Sequence, residues 1–511
     1  MKPKNLCPAF IRSALLFILV LSFHGLLFGQ NKDGELILPD SFDHRYIFIT
    51  NVEITGNEKT LDRIIIRELD FHVGDSLATF ILKQQLFAGR NNKRIYLNDT
   101  TIEVTKRLKY SRENLINTDL FLSVTLILEQ IHDKFYKLKI DVKERWYFWV
   151  FPVVTIDAPN INEWLDEPDK DQLNKGVFAA HTNLWGRGHS LWTVAYGGSS
   201  QRFGLGYSIP WIGKGEKVGF KTAAIYSSDA VVEYGSYDNE RMMLFDKNSV
   251  NSFAFGSEFS IRPNLYNYSH VKLVMVYKSI SDSLFQLNPT FLPDSAQSVI
   301  NADLYIDYLY DSRNNKSYPL KGQYLKGFVN KKGLGIISYD VDYFFYGIDF
   351  HFYQTISKKF YVAEMVKAVT SSSGDVAYHY MQNLTSKEDF LRGYDHYALR
   401  GESMLYFRGN VKYELVKPTI KRPKWAKPES KFLNIQYALY LNLFSDVGYV
   451  KNSTVSDNPD DINYNPLNNK SLYSWGLGLD LVSYYNLVIR FEYAFTSEGT
   501  HGLFFGLKAP I

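Results

Sequence analysis

The chain has 511 residues, and its 57 Lys and Arg nearly balance its 54 Asp and Glu, so charge gives no support for nucleic-acid binding. The single cysteine, Cys7, excludes a disulfide framework and a thiolate metal site. Aromatic residues reach 16%, and after residue 30 no stretch approaches the roughly 20 apolar residues of a membrane helix. This composition is typical of a β-barrel with aromatic girdles, with an extracellular β-sandwich array as the alternative.

Residues 1–29 have the features of a secretory signal peptide. A positively charged start is followed by an apolar run at 14–28 and then by Gly29-Gln30, a plausible cleavage point. The run is short for a membrane span, which favours cleavage over a retained anchor. We therefore expect a secreted chain that starts with a short linker at 30–43.

Residues 44–146 are expected to form a small α/β domain, because apolar residues recur there first at strand spacing and then at helical spacing. The predicted elements are a strand at 47–54, a helix with Thr60 as its N-cap, a helix at 103–117, and strands at 121–128 and 135–142. The order is therefore β-α-α-β-β.

From Trp146 onward, apolar and polar residues alternate with a period of two. The clearest segment is 433–443, and the segments 405–415 and 487–495 repeat the pattern. Strands of about ten residues with one apolar and one charged face suit a lipid-facing wall around a polar lumen. A soluble sandwich would show the same alternation, but its turns would be uniformly short.

About sixteen such strands can be counted in 147–511, which predicts a mainly β fold with a 16-stranded antiparallel transmembrane barrel. Connections after even-numbered strands are mostly tight, whereas those after odd-numbered strands are often long and polar, as at 228–250, 370–401 and 450–471. An even count places the last strand beside the first, so that the wall can close. The Pro- and Lys-rich segment 418–431 is an exception on the tight-turn side.

Two motifs in the barrel segment form the candidate site. They are Leu391, Arg392, Gly393 and Tyr394, between the eleventh and twelfth strands, and Phe444, Asp446 and Gly448, at the end of the thirteenth. The alternation places Phe444 and Asp446 on the lumen side, where a buried carboxylate needs a partner. Arg392, on a loop that could fold inward, offers a bidentate guanidinium; from the residues alone, a solvated Arg392 and a turn-capping Asp446 remain an alternative.

These motifs resemble the sixth-loop and partner motifs of the BamA/TamA family of outer-membrane assembly proteins. Two further segments, 183–188 and 311–315, resemble turns of that barrel. Residues 44–146 resemble a single POTRA domain, with an insertion in the long spacer at 76–99. The resemblance implies an outer-membrane location with the POTRA domain in the periplasm.

The resemblance also implies a function: protein insertion without a nucleotide or other cofactor. The POTRA domain would receive an unfolded client strand by edge pairing, and the seam between 147–156 and 502–510 would open to template it into the membrane. The implied partners are unfolded outer-membrane client proteins, outer-membrane lipids, and periplasmic or lipoprotein accessory subunits, with no nucleic acid. The Arg392–Asp446 pair would hold the sixth loop inside the barrel.

Other functions are less well supported by the sequence. It contains no nucleophile elbow, zinc-protease motif or phosphate loop, and His351, His379 and His396 lack a ligand spacing, so we expect no enzyme, no catalytic residue and no metal site. A two-partner-secretion translocator exporting a dedicated substrate stays an alternative, although it usually carries two POTRA domains. So does an accessory barrel subunit of a larger assembly complex.

Overall fold

The computed structural model describes residues 36–39, 42–79, 85–88, 93–96, 103–158, 161–166, 168–213, 217–337, 340–386, 388–421, 435–456, 458–459, 464–483 and 488–507. The chain forms two compact units. The first, the N-terminal unit, comprises residues 30–148 and 181–190, and the second, the barrel unit, includes 149–180 and 191–511. The expected signal peptide lies outside the described residues.

The N-terminal unit is a mixed sheet packed against helices. Its elements are β1 (Leu36–Ile37), β2 (Tyr46–Thr55), α1 (Asp62–Ile66), β3 (Ser76–Ala78), β4 (Gln85–Ala88), β5 (Lys93–Tyr96), α2 (Glu103–Asn117), β6 (Phe121–His132) and β7 (Phe135–Glu144). Five strands form one sheet in the order β1-β6-β7-β2-β3, and β4 pairs with β5 separately. Strands β1 and β6, and strands β2 and β7, run parallel.

The core of this unit lies between the sheet and α2. Val104, Leu108 and Leu115 of α2 are fully buried, because residues three, four and seven apart share one face of a helix. They pack on alternate residues of β6 and β7, such as Leu126 and Leu138. Helix α2 has the predicted bounds, and the two long strands that follow it lie where the sequence predicts them, with extended ends.

The start of the first helix differs from the prediction. Thr60 is not its N-cap, because α1 begins after Leu61 with no side-chain cap. Instead the backbone N–H of Thr60 donates to Glu144 at 2.6 Å, and its hydroxyl lies 2.9 Å from the hydroxyl of Tyr147. Four further strands, β1, β3, β4 and β5, were not predicted. β1 lies in the segment expected to be linker, and the other three lie in the spacer at 76–99.

The barrel unit contributes a 16-stranded sheet in which every described neighbour pair is antiparallel. Its strands are β8 (Phe148–Ile156), β9 (Leu173–Leu184), β10 (His189–Gly197), β11 (Gln201–Ile212), β12 (Val218–Tyr237), β13 (Glu240–Ile261), β14 (Asn267–Ile280), β15 (Ser298–Asp311), β16 (Gly322–Lys332), β17 (Tyr343–Thr355), β18 (Phe360–Ser371), β21 (Ser403–Lys421), β22 (Ile435–Lys451), β23 (Leu472–Ser483), β24 (Val488–Thr496) and β25 (His501–Gly506). Between β18 and β21 lie the short strands β19 (Gln382–Asn383) and β20 (Arg400–Gly401), and two short helices, α3 (Ile161–Asp166) and α4 (Asp282–Leu287), occupy other connections.

The strands run in chain order around the sheet, from β8 at one end to β25 at the other. On β22, Leu441 and Leu443 are exposed on one face, whereas Tyr440, Asn442 and Phe444 are buried on the other. This is the alternation expected for a lipid-facing wall and a filled lumen. The predicted strand number and the predicted fold class are confirmed. No helix in the described part of the chain has both the length and the apolarity to cross a membrane.

One predicted loop is wrong. Residues 228–250 are not a loop but the outer part of a long hairpin, in which β12 and β13 meet at Asp238-Asn239. Both turn residues have positive φ, 48° and 66°, as a type I′ turn requires. The polar residues that suggested a loop belong to paired strands. The other two long connections are present as residues 372–402, called loop 6, and 452–471, called loop 7.

Several predicted features fall largely outside the described residues. They are the tight turn at 483–485, the Pro- and Lys-rich segment 418–431 beyond the end of β21, and the last four residues of the chain. The spacer at 76–99 is described at 76–79, 85–88 and 93–96.

Candidate functional site

Loop 6 returns into the barrel instead of extending away from it. Its tip residues Leu391, Arg392 and Tyr394 are buried. The N–H of Leu391 donates to the carbonyl of Leu384 at 3.1 Å. The short strands β19 and β20, which flank the tip in the sequence, pair with each other. The loop is therefore a folded excursion whose tip meets the inner wall.

Arg392 binds Asp446 through two parallel hydrogen bonds. Its Nε donates to Oδ2 of Asp446 at 2.7 Å, and its Nη2 donates to Oδ1. The backbone N–H of Arg392 also points at Oδ2, at 3.4 Å. Asp446 is inaccessible to solvent and Arg392 is 2% exposed. A bidentate pair of this kind fixes orientation as well as charge.

The remaining donor of the guanidinium contacts two more strands. Nη1 donates to Asn410 of β21 at 2.7 Å and lies 3.3 Å from a carboxylate oxygen of Glu492 on β24. The guanidinium carbon lies 4.0 Å from the ring centroid of Phe444, in the arrangement of a cation–π contact. Four groups from three strands therefore surround one cation.

Two motif glycines make this approach possible. Gly393 has φ +85°, and a side chain there would meet Thr496 and Ala494 of β24 at 2.9 and 3.2 Å. A Cβ at Gly448 would lie 2.9 Å from methyl groups of Leu384 and Leu391. Glycine leaves room for these contacts. The missing side chain at Gly448 thus leaves the space that the side chain of Leu391 occupies.

Tyr394 binds the tip of loop 6 to β23 and to the turn that follows β24. Its hydroxyl donates to the carbonyl of Tyr473 on β23 at 3.1 Å and lies 2.9 Å from the hydroxyl of Ser497, in the turn between β24 and β25. All seven residues of the two predicted motifs therefore lie in one cluster, which we call the tip cluster. It joins loop 6 to β22, β23 and β24.

The charge balance of the tip cluster keeps Arg392 ionised. Burial lowers the pKa of its guanidinium, but Asp446 and Glu492 outweigh burial and raise the pKa above its ordinary value. A buried cation with two carboxylate neighbours is expensive to separate from them. The arrangement can therefore anchor the tip of loop 6 to the barrel wall.

The sequence did not assign roles to several residues near the tip cluster. Tyr318, from the turn between β15 and β16, reaches into the lumen and donates to Asp480 at 2.8 Å. Its ring lies 4.3 Å from the ammonium of Lys412, which is fully buried. The alternation at 405–415 and 487–495 is the sequence signal for the wall residues, since it places Lys412 and Glu492 on the inward face. No sequence signal indicated Tyr318.

A second set of contacts holds loop 6 to the β12–β13 hairpin. Arg400 forms a two-point ion pair with Glu233 at 2.7 and 3.1 Å. Arg241 donates to the carbonyl of Asp395 at 3.0 Å and to the hydroxyl of Thr385 at 2.7 Å. Loop 6 is therefore held by the inner wall at its tip and by the hairpin on both sides of the tip.

Within the described residues, no group of three or more His, Asp, Glu or Cys lies close enough to hold a metal ion. His351 contacts Asp349 and Tyr353, and His379 contacts Lys278. His396 packs against Phe504. The three histidines thus lie in different surroundings and do not form one site.

Comparison with known proteins gives a family match. The model described as the Omp85 superfamily domain matches residues 183–507. Among solved structures, CdiB from Escherichia coli has a TM-score of 0.50 at 9% identity over 98% of each chain. BamA from Haemophilus ducreyi lacking POTRA domains 1–3 has 0.49 at 14% identity, over 90% of this chain and 83% of that one. CdiB from Acinetobacter baumannii has 0.46 at 12%, over 91% and 74%. At 9% identity, the likeness to CdiB from Escherichia coli shows a shared fold alone, and no curated protein sequence matches significantly.

Proposed function

The chain belongs to the Omp85 superfamily, whose domain model matches residues 183–507, and we propose that it assembles other proteins into the outer membrane. The family and the barrel fold imply an outer-membrane location of the Gram-negative type. In this proposal the N-terminal unit is a single POTRA domain in the periplasm. The tight turns then face the periplasm and the long loops face outward.

The observation that carries the proposal is the attachment of the loop 6 tip to the last strands of the barrel. Arg392 binds Asp446 on β22 and Glu492 on β24, and Tyr394 binds β23 and the turn before β25. These contacts connect the three strands that precede β25 through the tip of one loop. A seam between β8 and β25 could then open without disordering the wall behind it.

The N-terminal unit supports the proposal through an accessible strand edge. β6 has twelve residues, and the described part of β1 pairs with only two of them, Leu126 and Ile127. Apart from these two residues and the carbonyl of Val124, which accepts from Nε of Arg112 at 3.1 Å, that edge can accept hydrogen bonds from an extended segment. An unfolded client strand would dock there by β-augmentation. This step needs no cofactor, and neither does strand pairing at the seam.

The test is depletion of the protein in its own organism with quantitative proteomics of the outer membrane. Depleted cells are complemented with the wild type, with Arg392→Ala, or with Arg313→Ala as the control. Arg313 forms an equivalent bidentate pair, with Asp311, at 2.8 Å for both bonds and away from loop 6.

Broad loss of barrel proteins, restored by the wild type and by Arg313→Ala but poorly by Arg392→Ala, supports the proposed function. Loss of one secreted or surface protein, with other barrels intact, contradicts it and identifies a dedicated translocator. An unchanged outer membrane also contradicts it.

A further inference from the structure

Helix α3 contacts the last strand of the barrel. It lies in the connection between β8 and β9, yet it packs against β25. The backbone N–H of Phe505 donates to the side-chain Oδ1 of Asn162 at 2.8 Å. This N–H therefore has a partner that is not a neighbouring strand. Both residues are buried, at 8% exposure for Asn162 and 7% for Phe505.

The burial of Phe505 is unusual for its position in the sheet. Phe505 pairs with Phe491, and Leu503 pairs with Tyr493, so both β25 residues lie on the outward face. Leu503 is 43% exposed, as expected for a lipid-facing residue, whereas Phe505 is 7% exposed. The outward face of β25 is therefore covered at Phe505 and exposed two residues earlier, and the covered position is the one whose backbone N–H donates to Asn162.

Helix α3 is held in this position by loop 6 and by the β12–β13 hairpin. The Nδ2 of Asn162 donates to the carboxylate of Asp395 in loop 6 at 2.9 Å. The next residue, Glu163, forms an ion pair with Arg241 of β13, and Arg241 also donates to the carbonyl of Asp395. Movement of α3 away from β25 would therefore break contacts with loop 6 and with the β12–β13 hairpin.

We propose that α3 is a strand-edge cap: in the resting barrel, the carboxamide of Asn162 occupies the β25 edge position that a strand of an incoming outer-membrane protein must take. The ligand is an extended β-strand, since the group that Asn162 satisfies is a backbone N–H and its natural partner is a backbone carbonyl. This inference rests on the proposed function. It adds that strand pairing at β25 requires α3 to leave, and that loop 6 restrains α3.

The first test fixes the cap in place. Asn162→Cys and Phe505→Cys are combined in a Cys7→Ser chain, which has no other cysteine. The two new cysteines are crosslinked with a bifunctional methanethiosulfonate, and a reductant reverses the crosslink. The control joins Leu477→Cys to Tyr493→Cys, a directly opposed pair on β23 and β24. Full-length protein in phospholipid vesicles receives a urea-unfolded eight-stranded barrel protein, and the folded fraction is read from its heat-dependent gel shift.

The second test removes the cap. A peptide with the last-strand sequence of that eight-stranded barrel carries a photoreactive benzoylphenylalanine, and its crosslinking to the wild type and to Asn162→Ala is compared. One hydrogen bond changes an equilibrium constant by a net factor of about 2 to 10. Asn162→Ala should therefore lower the peptide concentration that gives half-maximal crosslinking by about that factor.

The cap is supported if the crosslink between positions 162 and 505 lowers insertion at least tenfold, if reductant restores it, and if the β23–β24 crosslink does not lower it. Insertion at the full rate with the cap crosslinked overturns the inference while leaving the proposed function standing. If the uncrosslinked protein inserts nothing, the proposed function fails, and the peptide test still decides the cap: an unchanged affinity in Asn162→Ala overturns it.

Discussion

Truncation of Arg392 to alanine should release the tip of loop 6 from the barrel wall. The substitution leaves Asp446 and Glu492 buried, at 0% and 1% exposure, without their shared cation. Removing one partner of a buried ion pair costs about 3–5 kcal/mol. At about 1.4 kcal/mol per factor of ten, this shifts the docking equilibrium of the tip by roughly a hundredfold or more. The lost hydrogen bond to Asn410 and the lost contact with Phe444 act in the same direction.

The measurement is hydrogen–deuterium exchange of peptides from residues 372–402 in protein reconstituted in lipid, together with the rate of protease cleavage in the loop. Arg392→Ala should raise exchange at the tip, while Arg313→Ala should not. A double-mutant cycle with Asp446→Ala should give a coupling energy of about 1–3 kcal/mol, as expected for contacting residues. Tip exchange within about twofold of the wild type in Arg392→Ala would refute the idea that this ion pair holds the loop, since the expected shift is far larger.

Three further substitutions test the lumen and the N-terminal unit. Tyr318→Phe removes the 2.8 Å hydrogen bond to Asp480 and should lower the stability of the barrel by about 1–3 kcal/mol, read as a lower urea midpoint in lipid vesicles; an unchanged midpoint contradicts it. Lys412→Met should also lower the urea midpoint, because it leaves the buried carboxylate of Asp480 without this nearby cation and removes the cation–π contact with Tyr318; an unchanged or raised midpoint means that the cost of burying the ammonium outweighs both contacts. Gly56→Ala should destabilise the N-terminal unit by about 1–3 kcal/mol, because φ is +84° and the new Cβ would lie 1.9 Å from a backbone oxygen of β7. Proteolysis of residues 30–148 in the intact protein checks this, and Gly74→Ala, with φ +98° but nothing within 4 Å, separates the clash from the backbone strain.

The barrel could be predicted from the sequence because lipid and lumen impose opposite preferences on alternate residues. That contrast is strong on β22, where Leu441 and Leu443 face outward and Asn442 and Phe444 face inward. It also predicted that Asp446 lies on the inner face, which is why the contact with Arg392 could be anticipated. The family resemblance drawn from these motifs is confirmed by the match of residues 183–507.

The sequence predictions failed where this contrast between the two strand faces is missing and where a contact joins residues that are far apart in the chain. Where strands extend beyond the lipid, as in the outer part of β12 and β13, both faces can be polar. The polar residues at 228–250 therefore predict a loop, although they form a hairpin. The bond between Thr60 and Glu144 joins residues 84 positions apart, so a local capping rule could not find it. The partners Asn410 and Glu492 depend on the register of four strands, and the contact between Asn162 and Phe505 spans 343 positions.

The turn at Asp238-Asn239 has a practical consequence for anyone who wants to label this protein at its surface. A two-residue turn at the end of a long hairpin looks like a good place for an epitope tag. Here, however, the N–H of Asp238 donates to Tyr464, and Asn239 exchanges backbone and side-chain hydrogen bonds with Ala398, Asn465 and Leu467. A peptide inserted at the turn would separate loops 6 and 7 from the hairpin. Tolerance to insertion follows exposure and free backbone groups, so the connection after β16, where Ile336 is 76% exposed, is the better site.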